Sequence, residues 1–366
     1  MKKIALIYNY AQHYRTNIFT LMDKDMNIDF YFGDDMGDVK KMDYSLIKHS
    51  IVEIHNSNIG PFEWQSDVVK LAFKPYDSYI ILAGPMSLST WLFTICARIM
   101  GKQIIFWSHG WYGKENKIQK LIKKIFFRLP SINLLYGNYA RKLMIKEGFC
   151  SKKLVTIHNS LMYDKQIEIR KNLQLSNIYK SHFGNELPNI IFVGRLTHIK
   201  QLHLLLESLA LNKEKGFLYN VIFIGDGAEK KKLQSLCDKN KLSEYVWFYG
   251  PSYDEKELSS LIFNADLCVA PGNIGLTAMH AMAYGCPCIS HNDFKWQMPE
   301  FEAIVEGKTG TFFEKNNVKA LAESIYNWLK EKSSYREDVR KACFDEIDNN
   351  WNPHKQLEII QKIINN

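Results

Sequence analysis

The stretch Ala270 to Pro287, APGNIGLTAMHAMAYGCP, decides the fold, because it reads as a buried strand end, a glycine turn and a small-residue helix in direct succession. The helix runs through Ala278, Met279, Ala281, Met282 and Ala283, and Gly285 followed by Pro287 stops it. Its first-turn N–H groups have no partner within the helix and stand at the positive end of its dipole. An anion placed there is stabilised without a side-chain charge. Gly275 permits close approach of the backbone to such a ligand, and Thr277 could add a hydroxyl donor. Alone, the same residues equally describe an ordinary strand-to-helix connection in an α/β domain.

The surrounding sequence repeats the pattern. At 366 residues and 46% hydrophobic content the chain exceeds the size at which one core keeps growing, so two domains are expected. In the first, apolar runs at Lys3–Tyr8, Ile28–Phe32, Ser78–Ala83, Gln103–Ser108 and Asn133–Tyr136 alternate with helical patterns, including one from Ser87 to Met100 and a long one ending near Leu129. In the second, runs at Asn189–Val193, Tyr219–Ile224, Val246–Tyr249, Leu267–Ala270 and Cys288–Ser290 do the same. This predicts an α/β chain of two doubly wound, Rossmann-like domains facing across a cleft. Expected bounds are 1–165, 166–345, and a C-terminal helical segment 346–366, with a polar linker at Tyr163–Lys180.

Charge is uneven: residues 1–165 carry 23 Lys and Arg against 14 Asp and Glu, and the remainder 24 against 25. Seven scattered cysteines suggest a reduced compartment, and Cys286-Pro287-Cys288 reads as packing. The apolar run after Lys2-Lys3 is too short for a signal-peptide core, and Gly84-Pro85 splits the one long uncharged stretch, so a cytoplasmic location and no membrane span are expected. Lys114, Lys117, Lys120, Lys123, Lys124 and Arg128 fall on one broad helical face with Phe127 among them, beside an apolar face of Ile118, Ile122, Ile125 and Leu129. That pattern fits an anionic membrane surface or a solvated helix. No nucleic-acid module is present.

Loops after strands hold the candidate chemistry. Gly194 frees the turn after Asn189–Val193, and Arg195 and Lys200 follow it as two cations able to neutralise a diphosphate. Gly225-Asp226-Gly227 makes the next such turn. His109 closes the strand before Gly110; His13, Tyr14 and Arg15 follow the first strand; His291, Asn292 and Asp293 follow a later one. Were a base required, His13 and Asp34 are candidates.

The segments FVGRLTHIKQLHLLLESL, VIFIGDGAEKKKLQSL, VWFYGPS, ADLCVAPGNIGLTAMHAMAYGCPCIS and EAIVEGKTGTFF, in that order, resemble the C-terminal domain of family-4-type glycosyltransferases of the GT-B fold. IIFWSHGWYGKE and VTIHNSLM extend the resemblance into the first half. It implies sugar transfer from a nucleoside diphosphate donor, retaining and without a metal or other cofactor. It also implies a C-terminal helix that returns to the N-terminal domain. Arg195, Lys200 and the amides of Gly275, Leu276 and Thr277 would hold the diphosphate, with Gly194, Gly225, Asn273, His280 and Glu302 also on the donor. His109 would orient the sugar, and His13, Tyr14 and Arg15 would face the acceptor.

The chain departs from the family at two acids. The family has a glutamate in the loop before the Gly-Leu pair and another in the helix, which bonds the ribose; here the loop is shortened to Pro271-Gly272-Asn273 and His280 takes the second place. The expected activity is transfer to a glycan or lipid-linked glycan in bacterial surface polysaccharide assembly, peripherally at the inner face of the membrane. A nucleotide-sugar epimerase, a phosphorylase and a non-catalytic nucleotide-sugar binder are the alternatives.

Overall fold

The computed structural model describes residues 2–37 and 39–365. Two compact units divide the chain: Met1–Met162 together with Asn352–Asn366, and Tyr163–Trp351.

The first unit begins with β1 (Ile4–Tyr8), α1 (Thr16–Asp25), β2 (Ile28–Gly33) and β3 (Ile51–Ile54). A small antiparallel hairpin, β4 (Asn56–Ile59) and β5 (Phe62–Gln65), and the single turn α2 (Val68–Leu71) follow. Then come β6 (Ser78–Leu82), α3 (Leu88–Ile99), β7 (Gln103–Ser108), α4 (Lys117–Phe126), β8 (Ile132–Leu135), α5 (Asn138–Lys146) and β9 (Leu154–Thr156). Local chemistry starts the helices: the Ser87 hydroxyl accepts from the Thr90 amide at α3, and Asn116 with Gln119 forms a reciprocal capping box at α4. The main sheet is parallel in the order β3-β2-β1-β6-β7-β8-β9. Helices cover both faces, so its central strands are largely apolar: all of IALIY in β1 is buried. One face buries Leu6, Tyr8, Phe30, Phe32 and Trp107; the other buries Ile7, Tyr31, Phe106, Phe93 and Phe126.

The second unit starts with α6 (Tyr163–Arg170) and α7 (Ile178–Phe183), where a polar linker was expected. The polar residues are spent on packing: Tyr163 and Arg170 both bond Asp348, and the Tyr179 hydroxyl donates to Leu261 O at 2.6 Å. Next follow β10 (Asn189–Val193), α8 (His203–Glu214), β11 (Asn220–Ile224), α9 (Lys230–Lys239), β12 (Val246–Gly250) and α10 (Glu255–Asn264). The unit ends with β13 (Leu267–Val269), α11 (Leu276–Ala283), β14 (Cys288–His291), β15 (Gly310–Phe313), α12 (Val318–Lys332) and α13 (Arg336–Asn350). Its sheet is parallel in the order β12-β11-β10-β13-β14-β15. The last helix, α14 (Pro353–Asn365), packs on α1 in the first unit, with Leu357 and Ile360 in that unit's core.

Half of the basic face read from the sequence is paired with acids, three lysines sharing two carboxylates. Lys120 and Lys124 each reach Glu147 at 2.7 Å, and Lys123, with a side chain 15% exposed, pairs with Glu115 at 2.6 Å and lies over the Trp111 and Tyr112 rings. Phe127 does not stand among the cations; it is buried in the core. No helix among the described residues is long and apolar enough to cross a membrane.

Candidate functional site

Each sheet reverses its strand order once, at β1/β6 and at β10/β13, and ligands of open parallel sheets bind beyond the strand ends at such a point. In the second unit the loops there lock together through the backbone. Gly194 N donates to Ile224 O at 2.9 Å and Leu196 N to Asp226 O at 2.8 Å, joining the loops after β10 and β11. That approach excludes side chains: a Cβ on Gly225 would stand 1.9 Å from Gly194 O, and one on Gly227 2.4 Å from Leu196 O. The loop after β13 joins from the other side, with Gly272 N donating to Lys200 O at 2.9 Å and Asn273 N to Ile199 O at 3.1 Å.

Lys200 is thereby carried to the mouth of α11. Its ammonium donates to Asn273 O at 2.6 Å and to Ile274 O at 3.3 Å, and lies 3.9 Å from where a Gly275 Cβ would be. Burial lowers its pKa to about 8, opposed by the charge of Glu300 and assisted by Arg195. Arg195 itself is exposed. Gly275 caps α11 at φ 53°, a left-handed conformation that glycine adopts without strain. The Thr277 hydroxyl is committed to Val193 O at 3.0 Å, so the amides, not this hydroxyl, are what α11 offers a ligand. Asn273 bonds Trp296 O through its side chain, and Glu302 sits half-buried in the turn Pro299–Ala303.

Two residues beneath the loop carry no motif signal. Buried Gln297 accepts from Ile274 N at 3.0 Å and donates to Ser290 Oγ, Gly272 O and His291 O, while Ser290 donates to Ala270 O at 2.8 Å. This web holds the shortened loop in place. His291, at the end of β14, accepts from Asp293 N through Nδ1, and burial lowers its pKa to about 4.

His280 is not turned freely toward a ligand. Its Nε2 is 3.1 Å from Glu255 Oε1, which also accepts from Tyr284 Oη at 2.6 Å and Gln166 Nε2 at 3.2 Å. Burial opposes the charge on Glu255, but these donors outweigh it and bring the carboxyl down to about 2. The cluster thus places an acid beside His280, contributed by α10 instead of α11. Glu255→Ala leaves buried Tyr284 and Gln166 and half-buried His280 without their acceptor and should lower stability by about 1–3 kcal/mol in denaturant unfolding. An unchanged midpoint would show the cluster to be dispensable.

In the first unit, His109 and Arg15 meet on one tyrosine. Arg15 Nη2 donates to Tyr136 Oη at 2.8 Å, Tyr8 Oη is 2.9 Å from the same oxygen, and the His109 and Tyr136 ring centres are 4.8 Å apart. The guanidinium lies among the rings of Tyr8, Trp107 and Tyr136, 5.2–5.6 Å from their centres. Burial, with Arg15 and Lys123 adding repulsion, lowers the His109 pKa to about 4, so its imidazole is neutral near pH 7. His13 does not join them; its Nδ1 is 3.3 Å from Lys40 O and burial lowers its pKa. Tyr14 stacks edge-on to His13 with ring centres 5.5 Å apart. Asp34 accepts from Asn56 N and from His55, which hold its carboxyl below the usual range and make it a poor base.

Burial also brings His158 to about 4. The unfolded rings of His109, His158 and His291 take up protons as pH falls through about 6.5, whereas the folded ones resist until about 4. Stability should therefore decline from pH 6.5 toward pH 4, above the window in which Glu255 titrates. A fall in thermal midpoint of about 5 °C or more is expected by pH 5. A flat profile from pH 6.5 to 5 would contradict the burial of these rings.

Two parallel-sheet halves, each reversing its strand order once, define the GT-B fold. Residues 176–343 match the model of the family described as glycosyl transferases group 1. WcaL of Escherichia coli strain K12, named as a colanic acid biosynthesis glycosyltransferase, is 26% identical over 176 residues, covering 44% of this chain and 41% of that protein. The chain thus matches about two fifths of the length of its curated relatives. Among solved structures, the lipopolysaccharide outer core galactosyltransferase WaaB aligns at 16% identity with a TM-score of 0.72, covering 99% of each chain. Anabaena HepE, in complex with UDP, aligns at 14% identity with the same TM-score and coverage.

Proposed function

We propose that the protein moves a sugar from a nucleoside diphosphate sugar to a glycan or lipid-linked glycan acceptor in surface polysaccharide assembly, at the cytoplasmic face of the membrane. The observation that carries this reading is the placing of the Lys200 ammonium at the N-terminus of α11. The leaving diphosphate would sit between them, with exposed Arg195 closing over it. UDP in HepE supports a uridine nucleotide as the first donor to try. Neutral His109 would hydrogen-bond the donor sugar and not act as a charged acid. Retention is supported by the lowered pKa values of His13 and Asp34, which leave neither a strong base for inversion. Metal independence is part of the same reading, since these cations and amides would meet the diphosphate charge.

A second reading is favoured by one observation: in the shortened loop, where Gly272 and Asn273 stand about where the resemblance puts an acid, a Cβ on Gly272 would meet Ile199 O at 2.1 Å. A protein that binds a nucleotide sugar without turning it over fits that geometry too. Thermal-shift screening against uridine, guanosine, cytidine and thymidine diphosphate sugars, followed by product analysis with and without EDTA, tests both. Transfer unaffected by EDTA, with the anomer retained, is expected. Stabilisation without turnover would select the binding protein, and no stabilisation by any donor would overturn both.

A further inference from the structure

The outward faces of α3 and α4 expose apolar side chains to a degree that solvent does not explain. On α4, Ile118, Leu121, Ile122 and Ile125 recur at helical spacing, with Ile118 71% and Leu121 62% exposed. On α3, Leu92, Ile95 and Ile99 do the same, with Ile99 80% exposed. The helices are neighbours: the Trp91 and Phe126 ring centres lie 4.9 Å apart, and Arg98 donates to Leu129 O at 2.6 Å. Their opposite faces, through Phe93, Ala97 and Phe126, already fill the core beneath the sheet. The exposed residues therefore add nothing to that core, and paired apolar stripes of this kind mark a contact surface.

Charge identifies what lies against it. Between Ser78 and Ser131 the sole acidic residue is Glu115, whose side chain is 4% exposed and bound to Lys123. Glu147, the acid reaching α4 from beyond that segment, is taken by Lys120 and Lys124. Arg98 and Lys117 on these helices, and Lys102 and Arg128 just past their C-terminal ends, have no carboxylate paired to them among the described residues. An apolar face edged by uncompensated cations suits an anionic lipid surface, with the aliphatic side chains at the acyl boundary and the cations among the headgroups. A second copy on a two-fold axis would set the same cations against each other.

We propose that α3 and α4 together form the face on which the protein rests on an anionic bilayer. The proposal deepens the transfer reading, resting on it for the lipid-linked acceptor that such a location would serve. Aliphatic insertion, in place of the Lys120, Lys123 and Lys124 contacts expected from the sequence, supplies the anchorage.

The test is co-sedimentation with vesicles of phosphatidylcholine containing phosphatidylglycerol, and of phosphatidylcholine alone, using wild type, Leu121→Asp/Ile125→Asp and Ile95→Asp/Ile99→Asp. Wild type should sediment with the anionic vesicles, and each variant should lose about tenfold or more of that partitioning. Thermal midpoint and nucleotide-sugar stabilisation should stay unchanged, which separates this surface from the donor site. Wild type indifferent to anionic vesicles, or variants that bind as wild type does, overturn the proposal. So does a wild-type dimer that the aspartates convert to monomer without vesicle binding, because a second copy would then cover the face. Vesicle binding with no donor recognised would instead remove the transfer reading and leave the surface standing.

Discussion

Lys200→Ala should lower the rate of sugar transfer by about 10²- to 10³-fold, the loss that follows removal of one preorganised charge at a developing anion. The size of the effect comes from where the ammonium sits. Two carbonyls, Asn273 O and Ile274 O, fix it beside the first turn of α11, so it needs no reorganisation when the diphosphate departs. Burial makes the interaction stronger than it would be at the surface, and the same burial lowers the pKa to about 8. A bound diphosphate favours the protonated amine. Donor affinity should consequently weaken as pH rises through about 8, and Lys200→Ala should abolish that dependence. Arg195, exposed and able to reach other positions, should cost about tenfold less on replacement by alanine. Steady-state kinetics across pH 6.5 to 9 checks both. Wild-type and Lys200→Ala enzymes with superimposable pH profiles would place the diphosphate elsewhere.

The strand ends of both units and the glycine turns of the second were legible because their signals are local. Each of Gly194, Gly225, Gly227 and Gly275 follows an apolar run by a few residues, and its need for glycine comes from a backbone conformation or approach at that point. The partners of the site residues were not legible, because they arrive from elsewhere in the chain. His280 looked like a lone substitute for an acid; its companion Glu255 lies on α10, 25 positions earlier, and only the packing of α10 beside α11 joins them. The signal available was an acidic residue directly after Asp254, the residue that caps α10. Helical spacing likewise placed the α4 lysines on one face, but not the return of Glu147 from the end of α5 that pairs with two of them. Tyr136, on which Arg15 and His109 converge, ends a strand like many others and has no motif of its own. The hairpin of β4 and β5 has little apolar alternation, being mostly exposed or half-buried, so periodicity did not reveal it.

Gly272→Glu should not restore the acid that the family places in this loop; it should destabilise the second unit by about 3 kcal/mol and depress activity further. The obstacle is backbone. The Cβ of any residue at 272 would meet Ile199 O at 2.1 Å and Lys200 C at 2.7 Å, too close for either partner to yield by a rotamer change. Relieving that contact means drawing apart the loops after β10 and β13. The bonds Gly272 N to Lys200 O and Asn273 N to Ile199 O would break, and with them the placing of the Lys200 ammonium. Gly272 O is also held by Gln297 and Ser290, so the loop cannot retreat without stranding buried polar groups. The loop thus closes on Lys200 more tightly than a side chain at 272 would allow. Gly272→Ala carries the same clash without a charge and should lose nearly as much stability, which separates packing from electrostatics. Denaturant unfolding and transfer assays of both variants decide it. A Gly272→Glu protein with a wild-type midpoint and faster turnover would show that the loop accommodates an acid after all.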